Sequence, residues 1–460
     1  MTPRARCENR VQQTMAAIPL EKLFHLLGTA EVPGTGRELK ALSTRIGELV
    51  ALNGEEWVVR HRDRLLAQWR QALGADISRS SPVPHPPGGD TMSLFEPAAL
   101  KGMTLRNRFV RSATWEAMAA PDGAVTPRLV ETTAALARGG VGLIISSHAF
   151  ILPEGQAGPG QVGACADDLV PGLRQMAAAA HDHGAKIVLQ LAHAGYFAAE
   201  ALTGVPPFAV SAAVRLDDTP RREMSVADIG ALVAAFAAAA RRAQAAGFDG
   251  VQLHCAHGYL LNQFLSPLFN RRTDDYGGAL AHRARVHIET IQAVRRAVGG
   301  EFPILAKLNS RDFAEGGLEL PEALEAALLM EQAGLDALEL SSGMTRHARF
   351  GAARTGIRNQ AQEAYHREEA KAFKTRLRIP LILVGGIRSL PVAERLVREG
   401  ACDFIAMSRP LIREPDLINR WASGDRRKAA CTSDNLCFGP ARRGEGLYCV
   451  TAARKKRRTP

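Results

Sequence analysis

From Arg108 onward, short apolar runs rich in β-branched residues alternate regularly with longer helical segments. Many of these helical segments end in a glycine just before the next apolar run, as at Gly139, Gly247 and Gly400. Strict alternation of strand and helix predicts a parallel sheet, and eight units favour a closed (β/α)₈ TIM barrel of the α/β class over the alternative, an open doubly wound sheet. The eight predicted strands are residues 108–112, 141–146, 186–191, 250–254, 303–308, 337–340, 380–384 and 404–407.

Four segments of the chain differ in composition. Residues 1–77 carry three helical patterns and form a predicted N-terminal helical extension. Residues 78–92 are rich in Pro, Gly and Ser, cannot continue a helix, and are predicted to be a linker. Residues 93–425 contain all eight predicted strands and form the expected barrel. Residues 426–460 form a basic C-terminal tail that contains three cysteines.

The formal charge of +11 is concentrated in this tail. Residues 93–425 hold 36 Lys or Arg against 35 Asp or Glu, whereas residues 426–460 hold ten against two. The basic run at 454–458 predicts a solvated, disordered end, because such runs repel themselves and bury nothing. Contact with nucleic acid or an anionic membrane through this run is the minor alternative. We therefore expect no nucleic-acid partner.

Neither a membrane span nor a secretory signal is predicted. The longest Ala-rich apolar run, at 231–240, is far shorter than the ~18 residues that a membrane span needs. Residues 1–10 are charged and lead into no apolar stretch of signal-peptide length. Seven cysteines, an odd number, indicate reduced thiols rather than a disulfide framework. We expect a cytoplasmic protein without a membrane partner.

Polar and basic residues lie at or just after the carboxyl ends of the predicted strands. Active sites of (β/α)₈ barrels lie at this end of the strands, because the connecting loops converge there. The sequence therefore predicts a single site that recruits side chains from several strands. The candidate residues are Ala113, Thr114, Gln190, His254, His257, Tyr259, Lys307, Gly385, Gly386, Ser408 and Arg409.

The loops after the last two strands are predicted to bind a phosphate. Gly385 and Gly386 let backbone N–H groups approach an anion without an intervening Cβ. Arg409 can add a bidentate contact. Barrel phosphate sites are commonly built from these two loops. The alternative is a tight turn beside a surface arginine.

His254, His257 and Lys307 each allow more than one role. The two histidines would need further ligands to hold a metal ion, so donation to an anionic or carbonyl oxygen is favoured, and a buried structural histidine stays open. Lys307, at a strand end, is either a Schiff-base lysine or a fixed positive charge. Its polar neighbours favour the fixed charge.

Over roughly 94–421, the chain resembles the old yellow enzyme family of flavin-dependent ene-reductases. The block at 254–278 is the most specific match, and the last motifs are most similar to the bacterial NADH:flavin oxidoreductase branch near 2,4-dienoyl-CoA reductase. The matching motifs are LFEP at 94–97, NRFVRSATWE at 107–116, GGVGLIIS at 139–146, LQLAHAG at 189–195, HCAHGYLLNQFLSPLFNRRTDDYGG at 254–278, LVGGIRS at 383–389 and MSRPLIREPDL at 407–417.

The resemblance implies FMN as the cofactor and NAD(P)H as the co-substrate. Gln190 matches the glutamine that hydrogen-bonds the pyrimidine edge of the flavin. Lys307 takes the place of the basic residue near flavin N1 and O2, where a fixed cation stabilises the reduced flavin. Ala113 and Thr114 match positions that pack against the isoalloxazine. The phosphate cradle matches Gly385, Gly386, Ser408 and Arg409.

The resemblance also assigns the chemical step. His254 and His257 match the pair that hydrogen-bonds a substrate carbonyl oxygen and so makes the β-carbon electrophilic toward hydride from flavin N5. Tyr259 matches the tyrosine that gives a proton to the α-carbon. The implied activity is reduction of an activated C=C bond of enone, enoate or enoyl type.

Two features depart from the family pattern. Trp115 stands where relatives have a small residue, often Cys or Thr, that tunes the flavin potential. The iron–sulfur branch has four cysteines after the barrel, whereas this chain has three, Cys431, Cys437 and Cys449. Asp434 stands where the remaining cysteine is expected. A [4Fe–4S] cluster with one non-thiolate ligand, a zinc site and a vestigial site are the alternatives.

Electron supply and assembly follow as expectations. Multidomain relatives add a C-terminal module that binds FAD and NAD(P)H, and the chain stops at Pro460 before such a module. Electrons are therefore expected from NAD(P)H at the flavin or from a separate reductase. A homo-oligomer is compatible with the sequence.

Two rival functions remain besides the FMN-dependent ene-reductase. The first is a flavin-free barrel lyase that forms a Schiff base on Lys307. The second is a non-catalytic flavin-binding barrel in which the extension and the tail matter most. The colour of the purified protein separates the lyase from the flavoproteins, and bleaching by NAD(P)H separates the enzyme from the binding protein.

Overall fold

The structure, a computed structural model, describes residues 93–214, 216–344 and 351–458, with Leu23, Ser43, Ile46 and Val59. The chain divides into two compact units, Met1–Asp90 and Thr91–Pro460. Apart from the four isolated positions, which are helical, the predicted N-terminal extension and the linker lie outside the described residues.

Eight parallel strands form a closed barrel, which confirms the predicted (β/α)₈ architecture. Every residue of the eight strands is buried except Lys186, the first residue of the third strand, which is partly exposed. The strands are buried because helices cover the outer face of the barrel and side chains fill its interior. The last barrel strand pairs with the first, with Ile405 opposite Phe109, and this pairing closes the sheet. The barrel strands are β3 (Phe109–Arg111), β4 (Leu143–Phe150), β5 (Lys186–Ala192), β8 (Gly250–Cys255), β9 (Ile304–Asn309), β10 (Ala337–Ser341), β11 (Leu381–Leu383) and β12 (Phe404–Met407).

The second barrel strand is longer than its apolar run predicts. The pairing of β4 with β5 shifts register between Ile145 and His148, which is the mark of a bulge. Ser146 stabilises the irregular segment, since its hydroxyl accepts a hydrogen bond from the backbone N–H of Gln190 at 3.0 Å. Beyond the bulge the strand continues to Phe150, so His148 lies inside the barrel mouth rather than in a loop.

An antiparallel hairpin closes the amino-terminal end of the barrel. Its strands are β1 (Ala98–Leu100) and β2 (Met103–Leu105). Buried side chains of the hairpin pack with Val110, Val188 and other residues near the start of the barrel strands. This end is therefore filled with apolar side chains, and only the carboxyl end is available for a site. Two short strands, β6 (Phe208–Ala209) and β7 (Arg222–Glu223), form a separate small sheet.

Side-chain caps mark the start of two helices in the described segments. Ser225 and Asp228 form a capping box before the longest of them, and Thr126 accepts from the backbone N–H of Leu129 at the start of another. The α-helices are α1 (Pro127–Arg138), α2 (Val170–His181), α3 (Glu200–Thr203), α4 (Val226–Ala245), α5 (Leu260–Leu265), α6 (Leu280–Arg283), α7 (Arg285–Val298), α8 (Leu320–Gln332), α9 (Arg367–Lys374), α10 (Leu390–Arg398), α11 (Arg409–Arg413), α12 (Leu417–Ala422), α13 (Phe438–Arg442) and α14 (Val450–Arg458).

The basic C-terminal segment is helical, so the expectation of a disordered end at 454–458 is wrong. Helix α14 includes these residues, and Arg454 and Lys455 are exposed on it. Earlier in the tail, Ala441 and Leu447 are buried against Ala117 and partly buried Trp115. Apolar residues between the charges therefore anchor the tail on the barrel. None of the helices in the described segments combines the length and apolar character that crossing a bilayer requires.

We predict opposite stability effects for two glycine substitutions. At Gly139 an added Cβ would overlap the backbone carbonyl of Pro415, so Gly139→Ala should lower the free energy of unfolding by about 1–3 kcal/mol. Gly230 lies in α4 with open space around its Cβ position, so Gly230→Ala should raise that free energy by about 0.5–1 kcal/mol. Chemical denaturation followed by circular dichroism measures both, and equal effects of one sign would contradict the packing at Gly139.

Candidate active site

A cavity of about 670 Å³ opens at the carboxyl end of the barrel strands. A volume of this size suits a cofactor and a small substrate. Every candidate residue except Gly385 and the three tail cysteines lines it, so the structure brings together residues that are up to 296 positions apart in the chain. The lining candidates are Ala113, Thr114, Gln190, His254, His257, Tyr259, Lys307, Gly386, Ser408 and Arg409.

Three imidazoles and a phenol form one cluster on a side of this cavity. The ring centroids of His254 and Tyr259 are 4.8 Å apart, and those of His254 and His257 are 5.1 Å apart. His148 joins the cluster from β4, with its Nε2 3.1 Å from the hydroxyl oxygen of Tyr259. His257 is fixed by contact of its Nε2 with the Ser341 hydroxyl at 2.8 Å.

The protonation states of the cluster follow from burial. Burial lowers the pKa of His148 to about 4. Burial lowers the pKa of His254 and His257 well below the usual value, and the nearby Lys307 charge lowers both further. Burial also raises the pKa of the Tyr259 phenol. At neutral pH the cluster therefore holds neutral imidazoles and a protonated phenol, which are hydrogen-bond donors without net charge.

A layer of hydrogen-bonded polar side chains forms part of the cavity floor. The Lys307 ammonium lies 3.0 Å from a carboxylate oxygen of Glu339 and donates to the Ser112 hydroxyl at 2.8 Å. The other Glu339 oxygen accepts from Gln252, whose own amide oxygen accepts from Gln190. All five side chains are buried; Ser112 directly follows the first barrel strand, and the other four lie in the third, fourth, fifth and sixth strands.

Sequence reasoning found only Gln190 and Lys307 in this layer. The missed members are Gln252, Glu339 and Ser112. A usable signal was present, since Gln190, Gln252, Lys307 and Glu339 each interrupt an apolar strand one residue before a leucine. A polar residue in a fully buried strand needs a partner, and four such residues in parallel strands indicate a shared layer.

The turn after β11 leaves room for a ligand group. Gly386 has φ +72° and Gly385 has φ +144°, both in the region that favours glycine. A Cβ on Gly386 would lie 2.8 Å from the ring of Tyr365, and a Cβ on Gly385 would lie 3.0 Å from the His366 ring. Glycine at both positions is therefore required for the backbone to approach this end of the cavity closely.

Side chains after the first and last barrel strands meet beside that turn. The hydroxyl oxygens of Thr114 and Ser408 are 2.7 Å apart. Arg409 is buried and donates to the backbone carbonyl of Arg354 and to the side-chain oxygen of Asn435, each at 2.7 Å. These contacts position the guanidinium at the edge of the cavity, where a phosphate would meet both the glycine turn and a cation.

Trp115 forms a wall of the cavity. Its indole N–H donates to the carbonyl of Pro159 at 3.2 Å. A Cβ on Gly158 would lie 3.0 Å from the Trp115 ring, so the indole packs closely against the 157–159 loop. The bulky side chain that departs from the family pattern thus has its own packing partner in this chain.

Part of the cavity wall comes from the C-terminal segment, which sequence reasoning treated as an appendage. Ser433, Asn435, Phe438 and Arg442 line the cavity. The Asn435 amide also donates to the carbonyl of Ala353 at 2.7 Å, which ties the segment to the loop after β10. No local pattern in the sequence indicates this contact, because it depends on long-range packing.

The three tail cysteines lie outside the cavity lining, within range of electrostatic interaction with one another. Burial raises the pKa of Cys437 to about 11, and charge on Cys431 and Cys449 raises it as well. The carboxylate of Asp434 already accepts hydrogen bonds from the hydroxyls of Thr432 and Thr451 and from a backbone N–H.

These residues do not fit an iron–sulfur cluster in this arrangement. Within the described parts of the chain, no group of three or more His, Cys, Asp or Glu side chains has the arrangement of a metal site. Asp434, at the position of the absent fourth cysteine, has its oxygens committed to other donors.

The closed barrel carries a glycine turn, an arginine, an amide and imidazoles at one mouth, an arrangement that suits the class of flavin-binding oxidoreductase barrels. The sequence matches the NADH:flavin oxidoreductase / NADH oxidase family over residues 93–428, and the chain belongs to this family. An old yellow enzyme homologue from Zymomonas mobilis superposes with a TM-score of 0.63 at 26% identity, over 74% of this chain and 96% of that one. The predicted resemblance is thereby confirmed.

Two longer proteins are also similar to this chain. NADH oxidase of Thermoanaerobacter brockii is 35% identical over 359 residues, which cover 75% of this chain and 54% of that protein. A 2-naphthoyl-CoA reductase in complex with 2-naphthoyl-CoA superposes with a TM-score of 0.74 at 28% identity, over 78% of this chain and 57% of that one. The chain thus spans little more than half the length of either protein.

We predict that Gly386→Ala reduces flavin binding by about tenfold or more, because the added Cβ pushes Tyr365 and the turn into the cavity. Gly400→Ala is the matched control, since Gly400 has φ +68° but open space around its Cβ position. Both variants place an alanine at a positive φ and carry the same backbone strain, so they differ only in the contact of the added Cβ with Tyr365. Fluorescence titration with FMN measures the affinity, and equal loss in both variants would contradict the assigned cradle.

Proposed function

We propose that this protein is an FMN-dependent oxidoreductase that uses NAD(P)H to reduce an activated C=C bond of enone, enoate or enoyl type. The observation that carries the proposal is the position of the cluster His254, His257 and Tyr259 in the same cavity as Gln190 and Lys307. Membership of the NADH:flavin oxidoreductase family supports the flavin and the nicotinamide.

The cavity fits FMN. The glycine turn at Gly385 and Gly386, which a Cβ would fill, and the nearby Arg409 would hold the phosphate. Gln190 and Lys307 would bind the pyrimidine edge, with one hydrogen-bonding amide and one cation. Ala113, Thr114 and Ser408 complete the proposed binding set. When bound, FMN supplies hydride acceptor and donor chemistry between a nicotinamide and a C=C bond.

The two histidines would polarise the substrate. Because His254 and His257 are neutral at neutral pH, each would offer one N–H donor to a carbonyl oxygen. Neither imidazole would place a second positive charge beside the cofactor. Two donors at one oxygen withdraw electron density from the conjugated β-carbon and stabilise the negative charge that develops on that oxygen.

Tyr259 would supply the proton. Burial raises the pKa of its phenol, so the hydroxyl stays protonated at neutral pH. The nearby Nε2 of His148 holds this hydroxyl at one place in the cavity. A positioned phenol can protonate the α-carbon of the substrate as electrons arrive at the β-carbon.

The rival functions have weaker support. A Schiff-base lysine needs a free amine, but Lys307 is buried in an ion pair with Glu339 and donates to Ser112. A protein that only binds flavin has no need of the neutral donors His254, His257 and Tyr259 in the flavin cavity, so their presence favours an enzyme over a binding protein. Cytoplasmic location, a separate reductase and a homo-oligomeric state stay predictions from the sequence.

We predict that replacing His254 and His257 together with alanine weakens binding of 4-nitrophenol to the FMN-loaded protein by roughly 10- to 30-fold. Two hydrogen bonds to the ligand oxygen are removed, each worth about 1 kcal/mol. The control replaces His181 and His282, which are exposed, in the same way. Spectral titration measures the dissociation constant. Unchanged binding in the His254/His257 variant would contradict their role at the oxygen.

We predict that Tyr259→Phe slows the oxidative half-reaction with 2-cyclohexenone by about 10²- to 10⁴-fold while the reductive half-reaction with NAD(P)H is unchanged. Because the pKa of His148 is lowered to about 4 and that of Tyr259 is raised, the wild-type oxidative rate should be flat between about pH 6 and pH 8. Stopped-flow absorbance resolves both half-reactions. A parallel loss in both would argue against Tyr259 as the proton donor.

A further inference from the structure

The buried layer beneath the cavity contains a carboxylate that the proposed reaction does not use. Glu339 lies in the middle of β10 and its side chain is 0% exposed. It does not line the cavity, whereas its partners Lys307 and Ser112 do. A buried carboxylate is costly unless it is paired and fully hydrogen-bonded, so its partners determine its role.

Both oxygens of Glu339 have defined donors. One oxygen accepts from the Ser112 hydroxyl at 2.5 Å and lies 3.0 Å from the Lys307 ammonium. The other accepts from the Gln252 amide nitrogen at 2.9 Å. Lys307 is held in turn by the Ser112 hydroxyl. The carboxylate therefore fixes the position of the cation that faces the cavity and balances its charge.

The same carboxylate sets the direction of an amide chain. An ionised carboxylate only accepts hydrogen bonds, so Gln252 must turn its NH₂ group toward Glu339. The amide oxygen of Gln252 then faces Gln190 and accepts from the Gln190 amide nitrogen at 2.7 Å. Gln190 consequently keeps its side-chain oxygen as the acceptor for a ligand N–H group. The pyrimidine edge of a flavin carries such a group at N3.

We propose that Glu339 is a positioning residue for the flavin, which orients Gln190 through Gln252 and lowers the reduction potential of the bound flavin by balancing the charge of Lys307. This inference rests on the proposed function, because it takes FMN as the occupant of the cavity. Reduction adds electron density to the flavin, so an uncompensated cation beside it favours the reduced form and a buried anion opposes it. Charge effects of this kind are strong in a buried layer, where the local dielectric is low.

The test is the two-electron midpoint potential of the FMN-loaded protein, measured by spectroelectrochemical titration. Glu339→Gln removes the anion and should shift the potential to a more positive value. Lys307→Gln removes the cation and should shift it to a more negative value. The double variant should lie between the two single variants. Retention of the wild-type potential in Glu339→Gln would overturn the proposal.

A matched control removes the same kind of charge at the opposite end of the barrel. Asp249 precedes β8, and one of its oxygens lies 2.8 Å from the Lys186 ammonium. Asp249→Asn therefore breaks a carboxylate–lysine pair far from the cavity and should leave the potential unchanged. A shift as large as that of Glu339→Gln would mean that general loss of a paired carboxylate charge, and not the position of Glu339, moves the potential.

Gln252→Met tests the amide chain separately and covers the case in which Glu339→Gln does not fold. It removes the link between Glu339 and Gln190 without changing any charge. FMN should bind roughly 3- to 10-fold more weakly, as for one lost hydrogen bond, while the midpoint potential stays close to that of the wild type. Unchanged affinity would overturn the orienting role.

The wild-type protein separates failure of this inference from failure of the proposed function. A wild-type chain that does not bind FMN would overturn the proposed function and this inference with it. A wild-type chain that binds FMN and is reduced by NAD(P)H, together with insensitive Glu339 and Gln252 variants, would overturn only the role of Glu339.

Discussion

Hydrogen bonding between β12 and β3 closes the sheet, and the position of every candidate side chain depends on this closure. The two strands are nearly 300 residues apart in the chain, yet Met407 lies opposite Arg111, and Thr114 meets Ser408 just beyond them. An open sheet would leave the proposed phosphate residues far from those that follow the first strand. Because the hairpin at the other end is packed with apolar side chains, the barrel has one polar mouth.

Much of this architecture is predictable from the sequence because the relevant signals are local. All eight barrel strands were identified from buried apolar runs, and the carboxyl-end rule placed ten of the candidate residues in one cavity. The bulge in β4 was not predicted, since it depends on how Ser146 and Ser147 fit against β5. The sequence places His148 just after the predicted second strand, but its position within β4, beyond a shift in register, is recorded by no short pattern.

Other parts of the site depend on contacts between distant segments. Asn435 and Phe438 reach the cavity only because the tail packs against Trp115 and the loop after β10. Charge counting described the tail as a solvated appendage, since basic residues dominate its composition. The few apolar residues between those charges determine its position, and composition alone does not show which side of the barrel they cover.

Two kinds of polar group lie side by side in and beneath the cavity. Lys307 and Glu339 form a charged pair in the buried layer, where each charge has a partner. The neighbouring His254 and His257 are neutral, because burial and the Lys307 cation both disfavour a second positive charge there. In the proposed function, the Lys307 cation would therefore serve the bound cofactor, and a substrate oxygen would meet neutral donors. If both imidazoles were protonated, the single carboxylate of Glu339 would have to balance three positive charges, those of Lys307, His254 and His257. The buried layer provides an ion pair for Lys307 alone, so two further charges there would be costly.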